Sequence, residues 1–208
     1  MRAYELVVSQ LRSLYMMDDI QIEKMGGVQE KAEKSALIAL SGFENKYLEG
    51  SINPLNGVMY TNYLYWLSRF CFKEGFEDVA SMVYGLNKML HAVDLFYAIK
   101  LPEIWSCEHP LGAVMGRAEY GNGFFFYQGC TVGGNRHNGI VSYPTIGNNV
   151  KMYSNSKILG DSHIGNNVIV AANAYVINDT IPDNCIVFGQ SPNLTIKRQS
   201  ISKPYNYF

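Results

Sequence analysis

The chain has little net charge, few cysteines, few histidines and no long apolar run near its start, and each shortage removes a class of function. Seventeen Lys+Arg stand against eighteen Asp+Glu, a formal charge of -1. That balance offers no basic surface of the kind that binds nucleic acid or an anionic membrane, so neither partner is expected. Cys71, Cys107, Cys130 and Cys185 lie far apart with no CxxC pair, which argues for reduced, buried thiols and against a disulfide frame or a zinc site. The opening segment carries Glu5, Gln10 and Arg12 among its apolar residues. It therefore lacks the unbroken core of a signal peptide or membrane span, and a cytoplasmic location is expected.

What remains is 208 residues with 48% hydrophobic content, enough to bury a core in one ordinary domain or two small ones. Up to about residue 93 the apolar period is helical. Leu6, Val7, Leu11 and Leu14 recur at three- and four-residue steps, as do Tyr63, Trp66, Leu67 and Phe70, and then Ala80, Val83, Leu86 and Leu90. Lys73-Glu74-Gly75 reads as the turn of a helical hairpin, and the loop Asn53 to Gly57 precedes it.

Beyond residue 93 the period changes. Ile146, Met152, Ile158, Ile164, Val170 and Val176 are spaced by six, and four residues after each stands Val150, Ser156, Ser162, Val168, Ala174 or Thr180, all small or β-branched. Ile146-Gly147-Asn148-Asn149-Val150 recurs as Ile164-Gly165-Asn166-Asn167-Val168, eighteen positions on. Three hexads therefore make one coil of a solenoid, each hexad a short strand with its aliphatic residue inward and a Gly- or Asn-bearing corner after it. Weaker hexads extend upstream: Val114, Tyr120, Phe126 and Val132 keep the step, and Leu95, Leu101, Cys107 and Ala113 form a set one residue out of phase. Fourteen residues separate Val132 from Ile146, so a loop bulges out around Gly133-Gly134-Asn135-Arg136-His137-Asn138-Gly139. The expected fold is α+β: a helical N-terminal domain over residues 1–93, then a parallel β-helix of hexapeptide repeats over 94–208 that ends in a short tail.

Several segments resemble serine acetyltransferase, a left-handed β-helix enzyme of the hexapeptide transferase superfamily. Cys107-Glu108-His109-Pro110-Leu111-Gly112 is similar to the family's Leu-Asp-His-Ala-Thr-Gly, and Thr131-Val132-Gly133-Gly134 to its Thr-Leu-Gly-Gly. Lys157-Ile158-Leu159-Gly160 matches as it stands, and Ile181-Pro182-Asp183-Asn184 looks like the family's exit from the helix. The resemblance implies His109 as general base, Asp94 as the carboxylate that orients it, and Glu108 as a group that holds the acceptor. For acetyl-CoA, the co-substrate, it implies a groove between neighbouring subunits of a homotrimer, or of a dimer of trimers joined through the helical domain. Gly133, Gly134, Ser154 and Ala172 would line that groove, with Lys197 and Arg198 near the phosphates.

The residue types suit that chemistry independently. Acetyl transfer from a thioester needs a hydroxyl or amine relieved of its proton, and histidine, with a reference pKa of about 6.5, does this near neutrality. A carboxylate on its other nitrogen stabilises the imidazolium that forms. Backbone N–H groups beside Gly133-Gly134 suit the tetrahedral oxyanion, and no metal is called for.

The acceptor is less defined. The family's Arg-His pair, which helps bind serine, directly precedes a proline in the protruding loop. Here Arg136-His137 lies short of Pro144, and Tyr143 takes that place unless a gap is allowed. The family's serine-contacting aspartate has no clear counterpart, Glu44 and Glu49 being the nearest acidic candidates, and the tail lacks the extension that docks cysteine synthase. A sugar of a surface polysaccharide, or its nucleotide precursor, is the alternative acceptor, taken by O- or N-acetylation. A zinc enzyme resembling γ-carbonic anhydrases needs three converging histidines, whereas His91, His109, His137 and His163 are at least eighteen residues apart. A purely trimerising scaffold would leave the spacing of Asp94, Glu108 and His109 unexplained.

Overall fold

The computed structural model describes residues 2–43, 50–137 and 139–199. Five helices come first: α1 (Ala3–Tyr15), α2 (Asp19–Gly26), α3 (Gln29–Ser41), α4 (Gly57–Lys73) and α5 (Glu77–His91). Asn56 caps α4 by accepting from the N–H groups of Val58 and Met59, and Gly75, at φ 82°, makes the turn into α5. The helical hairpin expected there is present. No helix among the described residues is long and apolar enough to cross a membrane, and the four cysteines are buried free thiols.

The strands follow in short pieces: β1 (Trp105–Cys107), β2 (Val114–Met115), β3 (Glu119–Tyr120), β4 (Phe124–Phe126), β5 (Thr131–Gly133), β6 (Asn135–His137), β7 (Ile140–Ser142) and β8 (Thr145–Ile146). After these come β9 (Lys151–Met152), β10 (Lys157–Leu159), β11 (His163–Ile164), β12 (Ile169–Val170), β13 (Tyr175–Ile177), β14 (Thr180–Ile181), β15 (Cys185–Gln190) and β16 (Asn193–Arg198). They stack in parallel columns, β1-β4-β9-β12-β15 on the first face, β2-β5-β10-β13 on the second and β3-β8-β11-β14 on the third. The result is a left-handed β-helix of about five turns. Its core is continuous with that of the helices; the Tyr65 and Trp105 rings meet edge-on at 5.3 Å where α4 rests on the first coil.

The recurring Ile-Gly-Asn-Asn-Val has a physical cause at each place. A Cβ on Gly147 would stand 2.7 Å from the backbone carbon of Gly165 in the next coil, so this corner excludes any side chain. The first Asn accepts from the coil below, Asn166 Oδ1 from the Asn148 N–H at 2.9 Å. The second takes a left-handed φ, 57° at Asn149 and 55° at Asn167, which asparagine tolerates better than most residues. Its amide also joins a ladder in which Asn149 donates to Asn167 and Asn167 to Asn184, both at 2.9 Å.

One inward assignment needs correction. Met115, not Val114, pairs with Val132 and is buried, while Val114 is 39% exposed. Among the residues four places after each aliphatic, Thr180 differs from the other five in being exposed, because Ile181 pairs with Ile164 and the last coil is one residue short. Both offsets arise where a corner of different length interrupts the six-residue step.

Candidate active site

The first coil differs from the rest at one corner. Cys107 pairs with Phe126, and Gly129 donates to the Leu111 carbonyl at 2.9 Å, which sets Gly112 in register with Gly129. Four residues, Glu108 to Leu111, therefore fill the space that Tyr127 and Gln128 fill one coil later. The surplus is absorbed by a tight bend: His109 has φ 48°, Leu111 donates to the His109 carbonyl at 2.7 Å and Ala113 to the Pro110 carbonyl at 3.0 Å. A left-handed φ is uncommon for any residue other than Gly, although His adopts it more often than most, and it costs some stability, so the bend is held by its surroundings. Its effect is to lift His109 out of the column, with the side chain 73% exposed and Nε2 4.0 Å from Glu108 Oε1.

Glu108 begins an ordered column. Its N–H donates to Phe126 O, the Tyr127 N–H to Met152 O and the Tyr153 N–H to Val170 O, so Glu108, Tyr127, Tyr153 and Ala171 lie in successive coils. The Tyr127 and Tyr153 rings are parallel within 7° at 5.4 Å. Tyr127 is the neighbour of Glu108 in the next coil, and burial first, then the nearby Glu108 carboxylate, raises its phenol pKa well above the usual range. Ser154 and Ala172 occupy this corner one residue further on, Asn173 donating to the Ser154 carbonyl at 2.9 Å.

Asp94 is tied elsewhere. Its backbone bridges Val114, Tyr84 donates to its Oδ1 at 2.7 Å, and the Lys88 ammonium lies 2.9 Å from its Oδ2. The carboxylate raises the Lys88 pKa above the ordinary lysine value. None of the described hydrogen bonds of Asp94 reaches His109. Gly112 donates to the Ala92 carbonyl at 2.8 Å, however, so the end of α5 lies against the His109 corner.

The glycine loop lies at the far end of the second face. β5 runs away from the His109 corner, and Gly133 and Gly134 sit where it ends. The protruding loop is a β-hairpin, β6 against β7, with Arg136 opposite Val141 and His137 opposite Ile140. Arg136 is exposed; the His137 side chain, like Glu44 and Glu49, falls outside the described residues. Gly134 is required by Tyr143, whose ring would stand 2.7 Å from a Cβ there, and Arg117 covers that ring at 5.1 Å. Four residues of extended chain, about 13 Å, separate Gly129 at the first corner from Gly133 at the second. One chain thus gathers Glu108, His109, Ser154 and Ala172 at one corner, and Gly133, Gly134 and Arg136 at another. Lys197 and Arg198 lie apart from both on β16, where Lys197 pairs with Ile186 and Arg198 with Cys185.

Sequence reasoning missed the side chains that surround Glu108. Lys151 is only 5% exposed, its ammonium lying 4.9 Å from the Tyr153 ring centroid, 5.3 Å from Phe125 and 5.6 Å from Tyr127. Read singly, each is an outward hexad residue. The signal is the coil spacing: Tyr127 is the neighbour of Glu108 in the next coil, and Lys151 and Tyr153 fall beside Phe125 and Tyr127 once the hairpin is left out of the count. Among the described residues no group of three or more His, Cys, Asp or Glu side chains converges as metal ligands would.

The bacterial transferase hexapeptide (six repeats) family model matches residues 143–178, the stretch in which the coils run without interruption. Among proteins of curated function, none matches this sequence. Solved structures are similar over most of the chain. Neisseria gonorrhoeae serine acetyltransferase is 22% identical with a TM-score of 0.73, covering 97% of this chain and 79% of that one. The Vibrio cholerae O1 enzyme is 18% identical with a TM-score of 0.77, covering 98% and 81%. A serine acetyltransferase in complex with CoA is 18% identical with a TM-score of 0.70, covering 94% and 83%. The chain has the fold of the serine acetyltransferases, a helical N-terminal part joined to a left-handed hexapeptide-repeat β-helix.

Proposed function

We propose that the protein is an acetyl-CoA-dependent O-acetyltransferase with a small hydroxyl acceptor, serine being the nearest candidate. The observation that carries this reading is the two-residue surplus that lifts His109 beside Glu108 out of an otherwise regular corner. His109 accepts the proton of the acceptor hydroxyl as its oxygen attacks the thioester carbonyl. The tetrahedral oxyanion is met by backbone N–H donors near Gly133-Gly134, and its collapse breaks the C–S bond. The imidazolium then returns the proton to the leaving thiolate, so the enzyme ends unchanged.

Since His109 and Arg136 stand at different corners, a complete site in this reading needs two copies. In a homotrimer the His109 corner of one subunit meets the hairpin of the next, which also shields His109 from water. The pantetheine arm of acetyl-CoA lies along Ser154 and Ala172, with Lys197 and Arg198 toward the phosphates. Structural relatives have been solved with CoA and with serine, which supports both ligands. Residues 1–93 serve as the helical domain and 94–208 as the catalytic one; Asp94, tied to Tyr84 and Lys88, links them and exchanges toward His109 when the site is assembled. The Tyr127–Tyr153 stack beside Glu108 favours a second reading, a sugar acceptor with an apolar ring face.

Thiol release from acetyl-CoA, assayed with serine, homoserine and a panel of sugars, tests the reading. Turnover is expected with one acceptor class, falling roughly 100- to 10,000-fold in His109→Ala. Full activity in that variant would remove His109 as the base.

A further inference from the structure

The buried Lys151 is used by no step above, although a lysine is rarely enclosed without a reason. It lies within a ring of Phe125, Tyr127 and Tyr153, and these groups adjoin Glu108 through the strand register: Lys151 pairs with Phe125 and Met152 with Phe126, the residue whose carbonyl holds the Glu108 N–H at 3.0 Å. We propose that Tyr127 and Lys151 are positioning residues that hold the Glu108 carboxylate toward the acceptor, Tyr127 by hydrogen bonding to it and Lys151 by its positive charge behind the stacked rings. The inference rests on the acceptor role given to Glu108 above.

Each part has a physical reason. Glu108 is partly exposed, and an exposed carboxylate on a corner samples several rotamers. A phenol donor fixes one oxygen. A second exposed donor would compete for the acceptor, whereas an ammonium behind aromatic faces attracts the carboxylate without reaching into the site. Burial lowers the Lys151 pKa, and the Glu108 carboxylate opposes that shift by favouring the charged form. Tyr153, parallel to Tyr127, keeps the phenol from turning away. The free oxygen of Glu108 is then aimed outward, beside His109, to accept from a hydroxyl or an ammonium group of the acceptor.

Two measurements test this separately from the reaction itself. The first is thermal unfolding of Tyr127→Phe, Lys151→Met, Glu108→Gln and the double variants Tyr127→Phe/Glu108→Gln and Lys151→Met/Glu108→Gln. Coupled residues make each double variant lose at least about 2 °C less than the sum of its single losses. The second is steady-state kinetics in which acceptor and acetyl-CoA are varied in turn. Tyr127→Phe and Lys151→Met are expected to raise the acceptor KM roughly tenfold, with kcat and the acetyl-CoA KM within about threefold, and Lys151→Arg to recover most of the loss. Additive melting losses would overturn the network. Coupled melting losses with an unchanged acceptor KM, or a Lys151→Arg enzyme as poor as Lys151→Met, would overturn the positioning role. A wild-type protein that turns over no acceptor would overturn both the reading and the role built on it, while the melting data would still report whether the three side chains are coupled.

Discussion

Between Thr145 and Val187 the coils repeat almost without interruption, whereas between Trp105 and Ser142 they are broken twice, once by the surplus at His109 and once by the β6–β7 hairpin. The regular stretch satisfies itself: inward aliphatics meet in register, and asparagine amides bond from coil to coil. The broken stretch leaves groups that its own coil does not satisfy, an exposed histidine at one corner and an exposed arginine at the next. Repetition supplies rigidity, and the insertions carry the groups available for chemistry.

The largest expected effect concerns the two breaks. If each corner supplies half of a site shared between copies, His109→Ala and Arg136→Ala chains, each feeble alone, recover activity when coexpressed. Random mixing pairs an intact His109 with an intact Arg136 at about a quarter of the interfaces, so about a quarter of wild-type activity is expected. No recovery would place both residues in one chain's site.

Next comes the regular stretch. Ile158 is fully buried between Val132 and Val176, so Ile158→Ala should cost about 2–5 kcal/mol in denaturant unfolding. A loss below about 1 kcal/mol would mean that the coils do not hold one another. The smallest effect compares two left-handed corners. Asn167→Ala loses both rungs of its amide ladder and should cost about 1–2 kcal/mol. His109→Ala keeps the same strain, loses no described hydrogen bond of the ring, and should change stability by less than about 0.5 kcal/mol. Equal losses would erase the distinction between corners that stabilise and corners that act.

The repeat was legible because an inward aliphatic every sixth residue and a glycine that admits no Cβ leave a periodic trace. Where corners change length the trace slips, so Val114 keeps the six-residue step while Met115 fills the inward place. The hairpin was legible as a loop from its surplus length, though not as paired strands, since Arg136 and Val141 carry no alternation strong enough to declare them. Glu108 and His109 could be named from a motif. Lys151, Tyr127 and Tyr153 could not, because their meeting depends on coil register after the hairpin is removed. The hold of Tyr84 and Lys88 on Asp94 depends on how α5 meets the first coil, a tertiary fact with no local signature.

One end of the β-helix has a further consequence. β15 offers one edge to β12, and its other edge is taken by β16, which runs back antiparallel along all six residues from Cys185 to Gln190. A stack of parallel strands with an open end is a template for endless end-to-end growth. A strand of reversed direction cannot be extended by another coil in the same register, so β16 closes this end of the rod to growth by further coils.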